Sequence, residues 1–456
     1  MAEDLNSRKE EEERVQQPSP LIIQEADHPI RIKDIDKEAL KVLYRLRDAG
    51  FIGFLVGGGV RDLYLGKKPK DFDISTDARP GQLRKLFRNS RAIGRRFRLV
   101  QVFFHGGKII EVSTLRSQSE YDINGDKHTV LPANNTYGTL EDDAFRRDLT
   151  VNSLFFEIEN STIIDYVGGV KDLDKGVVRI VGEPERRVTR DPVRMMRAVR
   201  HASRNDFRID RKSWSAIVEN RDKLLLCPPS RIRDELLKDL HGGCAAAWLK
   251  IAIRSKILYT LLPFYEELIS DTGSGAALGD TLLRYMQVID RLHNSSTEKQ
   301  PVVVSDNLLL ASLLAPWIHS KFDAKEKLVG AAHHNRSREL RNLLDMAIGE
   351  RFNLKRAVKE NITTLFVNLT HLIRHSEDKN WPKWLQKKSY FTDCSKFFEI
   401  YSEVRGGKEI KNLSFREEPI ADNVLPPVVN GRGRGYQGVM PTFSSSPGGI
   451  FGLRKH

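Results

Sequence analysis

The residues best suited to chemistry lie in two short stretches, FLVGGGVRD and KDFDIST. The first contains Gly57 and Gly58, and glycines let backbone N–H groups approach a phosphate closely. The second places Asp71 and Asp73 two residues apart. On a β-strand both would point to one face, about 7 Å apart, and would repel each other unless a cation lay between them. Oxygen ligands of this kind suit Mg²⁺ that is bound jointly by protein and phosphate.

The joint pattern GG-x-VRD-x-x-LG followed by D-x-D is far more specific than either half, since glycine-rich turns and solvated acidic edges are both common. It resembles the nucleotidyltransferase superfamily of DNA polymerase β, and within it the class II branch of tRNA CCA-adding enzymes and bacterial poly(A) polymerases. The resemblance implies that Asp71 and Asp73 are catalytic and hold the two Mg²⁺ ions of a two-metal mechanism. Gly57, Gly58 and Arg61 would then cradle the phosphates of ATP.

Two residues compete to be a third carboxylate. Glu111 interrupts the apolar run IIEVSTL, where a glutamate is costly unless it is paired, bound to a metal, or at an edge that faces solvent. Asp143 lies in a predicted helix that Thr139 can cap. The family resemblance puts a catalytic or structural carboxylate at this second position. Both residues are therefore candidates, Glu111 as a metal ligand and Asp143 as a catalytic residue.

A second motif follows in the string RRDLTVN, residues 146–152. On spacing alone it could belong to an exposed helix, because Asp142 and Asp143 lie one turn away from its two arginines and could form ion pairs with them. The string also resembles the second motif of the family. The resemblance implies contacts to the ribose and phosphates of the nucleotide from Arg146, Arg147, Asp148 and Asn152.

The stretch TRDPVRMMRAVRH predicts a site for the nucleobase. Asp191 and Arg194 are three residues apart and share one face of a helix, which could also be an ordinary solvated face. In the resembled family this helix is a protein template for the incoming base. A carboxylate accepts a hydrogen bond from an exocyclic amine and a guanidinium donates to a ring nitrogen, so the pair would admit adenine and cytosine. This chain has Arg190 where the family usually carries glutamate.

The stretch IGRRFRLVQVFFH, residues 93–105, looks like the signature that separates bacterial poly(A) polymerases from CCA-adding enzymes, with Gln101 where the family often has histidine. With the basic C-terminal segment, it favours addition of AMP from ATP to the 3′ ends of mRNA and other transcripts. One alternative is a CCA-adding tRNA nucleotidyltransferase. Another is a non-catalytic RNA-binding protein with a relic head, which the joint presence of Asp71, Asp73 and RRD-x-x-x-N argues against.

Composition agrees with a nucleic-acid partner. The 456 residues carry a net charge of +13, and 30% of them are charged, which favours a polyanionic ligand. The three cysteines, Cys227, Cys244 and Cys394, lie far apart, which argues against a disulfide framework or a structural zinc. No apolar run reaches transmembrane length, and the N-terminus begins with charged residues. We therefore expect a soluble, cytoplasmic protein, and the sequence indicates no particular protein partner.

The helices and strands needed to position these residues indicate an α+β protein. We expect a small mixed-sheet head, followed by an all-helical neck and body. Five motifs in the family's order cover about residues 40–262. The expected domains are a disordered arm (1–33), the catalytic head (34–160), a neck with the nucleobase template (161–262), a helical RNA-binding body (263–405) and a basic disordered tail (406–456).

Overall fold

The structure is a computed structural model that describes residues 19–94, 99–117, 136–269, 273–295, 304–326, 328–375 and 381–410. Its strands are β1 (Leu21–Ile23), β2 (Gly53–Val56), β3 (Asp73–Thr76), β4 (Ser90–Ile93), β5 (Leu99–Phe103), β6 (Ile109–Thr114), β7 (Leu154–Glu157), β8 (Thr162–Asp165), β9 (Val177–Val178) and β10 (Arg208–Ile209). The α-helices of the first half are α1 (Lys37–Asp48), α2 (Gly58–Tyr64), α3 (Pro80–Leu86), α4 (Leu140–Arg146), α5 (Gly169–Asp174), α6 (Pro184–Arg190), α7 (Val193–Asn205), α8 (Arg211–Asn220) and α9 (Pro229–Leu240). Those of the second half are α10 (Ala245–Arg254), α11 (Ile257–Leu261), α12 (Phe264–Leu268), α13 (Gly273–Asn294), α14 (Asp306–Lys321), α15 (Ala331–Leu344), α16 (Arg356–Arg374), α17 (Lys383–Gln386) and α18 (Phe391–Val404).

The first eight strands form one mixed sheet in the order β1-β8-β7-β2-β3-β6-β5-β4. Neighbouring strands are antiparallel except β3 and β6, which run parallel near the middle of the sheet. The parallel pair is possible because α3, β4 and β5 form the crossover between its two strands. The predicted mixed-sheet head is therefore confirmed.

Helix α1 shows how the sequence builds the support for this sheet. The carboxylate of Asp36 caps it by accepting hydrogen bonds from the N–H groups of Glu38 and Ala39. The buried residues on α1 recur at helical spacing, as the sequence predicts, and they are Ala39, Val42, Leu43 and Leu46. The helix ends just before Gly50, which has a φ of 78°. This helix and β2 are in contact, so the buried stripe anchors the strand that leads into the glycine turn.

The prediction of a disordered arm over residues 1–33 is wrong for its last part. Strand β1 pairs antiparallel with β8. His28 is buried and its Nε2 donates to the carbonyl oxygen of Ser161 at 2.8 Å, and Ile30 is also buried. The partner strand lies far along the chain, so local composition does not reveal it. The sheet also extends to Asp165, past the head boundary predicted at residue 160.

The chain after the sheet is almost entirely helical, as predicted, apart from the short parallel pair of β9 and β10. In the body, α14 is buried from Leu308 to Ile318, and its Trp317 stacks on Phe264 with ring centroids 4.0 Å apart. The head and this helical region form one compact unit. None of the helices in the described part of the chain is long and apolar enough to cross a membrane.

Several predicted features lie outside the described residues. They include Arg95, Arg96 and Arg98 of the 93–105 stretch and most of the tail. The tail is described only as far as Ile410, whose backbone N–H donates to Oε2 of Glu403 at 3.1 Å. The body therefore continues past the boundary predicted at residue 405.

Candidate active site

Strand β3 presents the D-x-D residues much as the alternation predicts. Phe72 and Ile74 are buried in the core, while Asp73 is half-buried and lines a cavity of about 440 Å³. The strand begins at Asp73 rather than at Asp71, so Asp71 lies just before it and is exposed. Asp71 is two residues from Asp73 in the chain, and its negative charge adds to burial and the charge of Glu111 in raising the pKa of Asp73.

Glu111 lies directly beside Asp73 on the adjacent parallel strand, and both line the same cavity. Burial, and then the charge of Glu111, raise the pKa of Asp73 to about 6, and Arg147 opposes this shift. Strand β6 lies between β3 and β5, so Glu111 is not an edge residue that faces solvent. Its Oε1 accepts a hydrogen bond from Nε2 of Gln101 at 2.9 Å. Of the two candidate carboxylates, Glu111 is the one that the fold brings to Asp73.

These carboxylates suit a cation that the substrate helps to hold. Among the described residues, no three acidic, histidine or cysteine side chains stand close enough to form a metal site by themselves. Mg²⁺ is usually held by one or two carboxylates together with substrate phosphates and water. Asp73 and Glu111, with Asp71 nearby, match that donor set, and a cation would relieve the repulsion that raises the pKa of Asp73.

Asp143 is a buried carboxylate that holds two arginines. Its side chain is only 1% exposed and forms ion pairs with Arg146 at 2.8 Å and Arg147 at 2.9 Å. Burial by itself would raise the pKa of Asp143, but the two guanidinium groups hold the pKa below its ordinary value. Asp143 is not among the described residues that line the cavity. The Asp143 carboxylate therefore fixes the two arginines, which favours the structural alternative over the catalytic one for this residue.

The glycine turn meets the cavity at Gly57 and Gly58, as predicted. Gly57 has a φ of 68°, a left-handed conformation that glycine adopts without strain, and it lies beside the guanidinium of Arg147. Arg61 does not reach the cavity. Its side chain is 2% exposed and donates to Asp62 at 2.7 Å and to Asn152. The predicted phosphate contact of Arg61 is thus replaced by a buried brace under the glycine turn.

The RRD-x-x-x-N string lines the cavity with all four of its predicted residues, Arg146, Arg147, Asp148 and Asn152. Asp148 accepts a hydrogen bond from its neighbour's backbone N–H and forms an ion pair with Arg197. Although burial would raise the pKa of Asp148, Arg197, His201 and Arg194 hold it well below the ordinary value. Asp148 is therefore an ionised anchor between the head and α7.

The predicted nucleobase pair is also present at the cavity wall. Nε of Arg194 lies 3.8 Å from Oδ2 of Asp191. The two Nη groups of Arg194 donate to the backbone carbonyl oxygens of Arg147 at 2.9 Å and Arg146 at 3.2 Å, which links α7 to the head. Asp191 also contacts Arg231 on α9, whose Nη2 donates to Oδ2 at 3.1 Å. The sequence alone does not indicate this contact, because the two residues are 40 positions apart.

Other cavity residues were also missed from the sequence. Arg116 lies two residues after the end of β6, the strand that carries Glu111, and it lines the cavity. Its place just beyond the end of that strand is the sequence signal that could indicate it. Burial, then the nearby charge of Arg146, lower the pKa of Arg116 to about 10, which an anionic ligand would reverse. Six arginines that line the same cavity as the carboxylates form what we call the arginine wall. They are Arg116, Arg146, Arg147, Arg194, Arg197 and Arg231.

Facing carboxylates, a glycine turn and a wall of arginines suit the binding of a nucleoside triphosphate with its cations. The chain places these groups on a mixed sheet that is followed by helices. Comparison with known proteins agrees. Residues 53–179 match the family described as Poly A polymerase head domain. Residues 206–269 match the family described as Probable RNA and SrmB-binding site of polymerase A. Two regions of the chain, which together make up less than half of its length, are therefore similar to families named for poly A polymerase.

Individual relatives point the same way. The chain is 45% identical over 271 residues to Poly(A) polymerase I of Escherichia coli O6:H1, a match that covers 58% of each chain. It is 38% identical over 209 residues to the CCA-adding enzyme of Lactobacillus helveticus, covering 46% of this chain and 51% of that protein. The chain thus spans little more than half the length of the curated relatives that it matches.

Among solved structures, the fold is similar to that of the Bacillus stearothermophilus CCA-adding enzyme in complex with CTP. The TM-score is 0.58 at 24% sequence identity, and the match covers 82% of this chain and 79% of that one. The likeness of fold therefore extends further along the chain than the likeness of sequence to the curated relatives.

Proposed function

We propose that this protein is a bacterial-type poly(A) polymerase that adds AMP from ATP to RNA 3′ ends without a nucleic-acid template. The observation that carries the proposal is that one cavity is lined by Asp73, Glu111 and the arginine wall, and also by Asp191. Such a cavity can hold a triphosphate, its cations and a base together. The mRNA and other transcripts would supply the 3′ ends.

The choice of poly(A) over CCA addition rests on sequence. Identity is 45% with a poly(A) polymerase I and 38% with a CCA-adding enzyme. The base-reading residues do not separate the two activities, because adenine and cytosine both present an amine beside a ring acceptor. We place the enzyme in the cytoplasm, where its three unpaired cysteines would stay reduced.

In the proposed reaction the RNA 3′ oxygen attacks the α-phosphate of ATP in line, the new P–O bond forms, and pyrophosphate leaves. Asp73 and Glu111, with Asp71, would hold Mg²⁺, which when bound activates the 3′ hydroxyl and neutralises charge on the triphosphate. The charges of Arg146 and Arg147 would stabilise the negative charge that develops on the leaving pyrophosphate. Because Asp143 already fixes both arginines, little rearrangement is needed as that charge develops.

The glycine turn and Asn152 have supporting roles in this reaction. Gly57 and Gly58 let the backbone approach the phosphates, and Arg61 holds the turn rigid from below. Asn152, which Arg61 binds, lines the cavity where the ribose would lie. These residues orient the substrate rather than take part in bond making.

The proposal can be tested by incubating the protein with Mg²⁺ and each single nucleoside triphosphate, on a generic RNA and on a tRNA that lacks CCA. A poly(A) polymerase extends both RNAs with many adenylates from ATP alone. A CCA-adding enzyme needs CTP and ATP and stops after CCA on the tRNA, and a relic head binds RNA without extending it.

We expect Asp71→Ala and Asp73→Ala to abolish addition with unchanged circular dichroism. Asp48→Ala at the exposed end of α1 should behave like wild type.

A further inference from the structure

Asp73 and Glu111 belong to a row of polar residues that crosses four strands of the sheet. Glu111 lies directly opposite Gln101 of β5, and Gln101 lies directly opposite Arg91 of β4. Residues that are directly opposite each other in a sheet share one face. The row therefore runs from the carboxylates in the cavity to the edge strand β4.

The side of β4, β5 and β6 that carries this row is partly open to solvent. Helices α1 and α3 contact these strands, and the residues that alternate with the row, such as Val100, Val102 and Val112, are buried. On the row's own side, Phe103 and its cross-strand partner Ile109 are 38% and 42% exposed. We call this surface the outer face, and its residues are Arg91, Ile93, Leu99, Gln101, Phe103 and Ile109.

The groups that would hold the triphosphate lie on the other side of Asp73. Gly57 follows β2, which is the neighbour of β3. The guanidinium of Arg147 lies over the ring of Phe155 of β7, with its carbon 5.1 Å from the ring centroid. Because the strand order is β7-β2-β3-β6-β5-β4, the glycine turn and Arg147 flank β3 on one side and the outer face lies on the other.

The geometry of the proposed reaction gives the outer face a role. In an in-line displacement, the attacking oxygen and the leaving pyrophosphate lie on opposite sides of the α-phosphorus. If pyrophosphate leaves towards Gly57 and Arg147, the RNA 3′ oxygen approaches from the side of β6. The RNA that ends in this oxygen then extends over β6, β5 and β4.

We propose that the outer face is the path of the single-stranded 3′ end of the RNA, with Phe103 as a stacking surface for a base and Arg91 as a phosphate contact. This inference rests on the proposed function. Phe103 is two residues, about 7 Å, from Gln101 along β5, and Gln101 donates to Glu111 at 2.9 Å. The ring is thus within reach of the nucleotides next to the reacting one. Stacking on an aromatic ring tolerates any base, which suits an enzyme that extends RNAs of different sequence.

The test uses two changes on the outer face, each with a matched control. Phe103→Leu keeps the apolar character and removes the ring, and Tyr44→Leu makes the same kind of change on α1, on the helix side of the sheet. Arg91→Gln removes one positive charge, and Arg84→Gln removes one from α3, also on the helix side. Phe103→Trp keeps an aromatic ring and serves as the conservative variant.

Binding of a fluorescent single-stranded RNA is measured over a series of salt concentrations, with Ca²⁺ in place of Mg²⁺ and without nucleotide. A second RNA carries 2-aminopurine next to its 3′-terminal nucleotide, and stacking of this base quenches its fluorescence. KM for RNA and KM for ATP are then determined separately with Mg²⁺.

We expect Phe103→Leu to weaken RNA binding and to raise KM for RNA about tenfold, because the stacking of one base is lost. Quenching of 2-aminopurine should fall in this variant and return in Phe103→Trp. Arg91→Gln should reduce the slope of log affinity against log salt by about 0.7. KM for ATP should stay close to the wild-type value in both, and the two controls should match wild type in every measurement.

Wild-type RNA affinity and quenching in Phe103→Leu would overturn the proposal, and a loss of self-association in that variant would then assign the outer face to contact between copies of the chain. Equal losses of affinity in Phe103→Leu and Tyr44→Leu would also overturn it. If the wild-type protein added no nucleotide, the proposed function would fall, while RNA binding and the 2-aminopurine signal would still decide whether RNA lies on the outer face.

Discussion

Asp73 sits beside Glu111 in the sheet, and its surroundings make its protonation depend on pH near neutrality. The folded-state pKa of Asp73 is about 6, above the ordinary value of 3.8, because of burial and the adjacent carboxylate. The folded protein therefore binds this proton more tightly than the unfolded chain does. It follows that the free energy of unfolding falls as the pH rises from about 4 to about 6 and is then no longer affected by this group.

We predict that Mg²⁺ raises the melting temperature more at pH 7.5 than at pH 5, because a cation favours the ionised carboxylates. The shift is measured by thermal unfolding with and without the metal, in the absence of nucleotide. In Asp73→Asn the Mg²⁺ effect should be largely lost at both pH values. An equal shift at both pH values in the wild-type protein would count against these carboxylates as the metal ligands.

A second prediction concerns the role of Asp191 in discriminating between nucleoside triphosphates. Asp191→Asn keeps the shape of the side chain but replaces one acceptor oxygen with a donor, which suits the carbonyl of guanine or uracil. Discrimination for ATP over GTP should fall by on the order of 1–3 kcal/mol, while turnover with ATP persists. Competition assays with mixed nucleotides measure this, and Asp234→Asn on the surface of α9 is the control. A wild-type preference in Asp191→Asn would place the base reader elsewhere.

Helix α5 packs against the turn that carries Asn152, and glycine makes this contact possible. A Cβ on Gly169 would lie 2.3 Å from the carbonyl oxygen of Thr150, a distance that real contacts do not reach. Thr150 also donates to Asp172 of the same helix at 2.7 Å, so the helix cannot simply move away. The second motif and the start of the neck are therefore held at backbone contact distance.

We predict that Gly169→Ala lowers the free energy of unfolding by roughly 1–3 kcal/mol, through overpacking at this contact. The matched control is Gly81→Ala in α3, where an added Cβ meets nothing within 4 Å and should be neutral or slightly stabilising. Denaturant titration of both variants gives the two values. Equal stabilities would mean that the chain can relax around Thr150 at little cost.

Many of the helices and strands follow from local sequence patterns. The features that the sequence does not predict have a common cause. The cap at Asp36, the start of α3 at Pro80 and the burial of Phe72 and Ile74 each depend on near neighbours in the sequence. The buried state of Arg61 depends on Asn152, which is far along the chain.

The same cause explains the other errors and the success at Glu111. The ordering of residues 21–23 depends on β8, and the site role of Arg231 depends on its contact with Asp191, so neither shows in a local pattern. Glu111 could be nominated because an acidic residue in an apolar strand is unusual. Its partner Asp73 is set by the strand order, which no local pattern contains.

At the scale of the whole molecule, the last prediction concerns the residues after Ile410, which lie outside the described residues. Ile410 is bound to Arg291 and Glu403, so a truncation belongs after it. The removed segment contains Arg432, Arg434, Arg454 and Lys455, each able to neutralise a phosphate. We expect its deletion to shorten the products and to reduce the salt dependence of RNA binding, while single-nucleotide addition on a saturating primer persists.

One outcome of this truncation would contradict a role of the segment in RNA binding. If the shortened protein melted several degrees lower and bound RNA with an unchanged salt slope, the segment would serve to stabilise the body rather than to hold RNA. Binding is measured over a series of salt concentrations, and melting under identical buffer conditions, with the full-length protein as the reference for both.

The strand order also has a consequence for how the protein is made. Strand β2 pairs with β3 on one side and with β7 on the other, and β7 is synthesised much later. In the same way, β1 pairs only with β8, which is also synthesised later. His28 and its partner Ser161 are 133 residues apart, which at ribosomal rates is an interval on the order of ten seconds. During translation the nascent sheet therefore has an open edge in its middle, where a second nascent copy on the same polysome can pair with it.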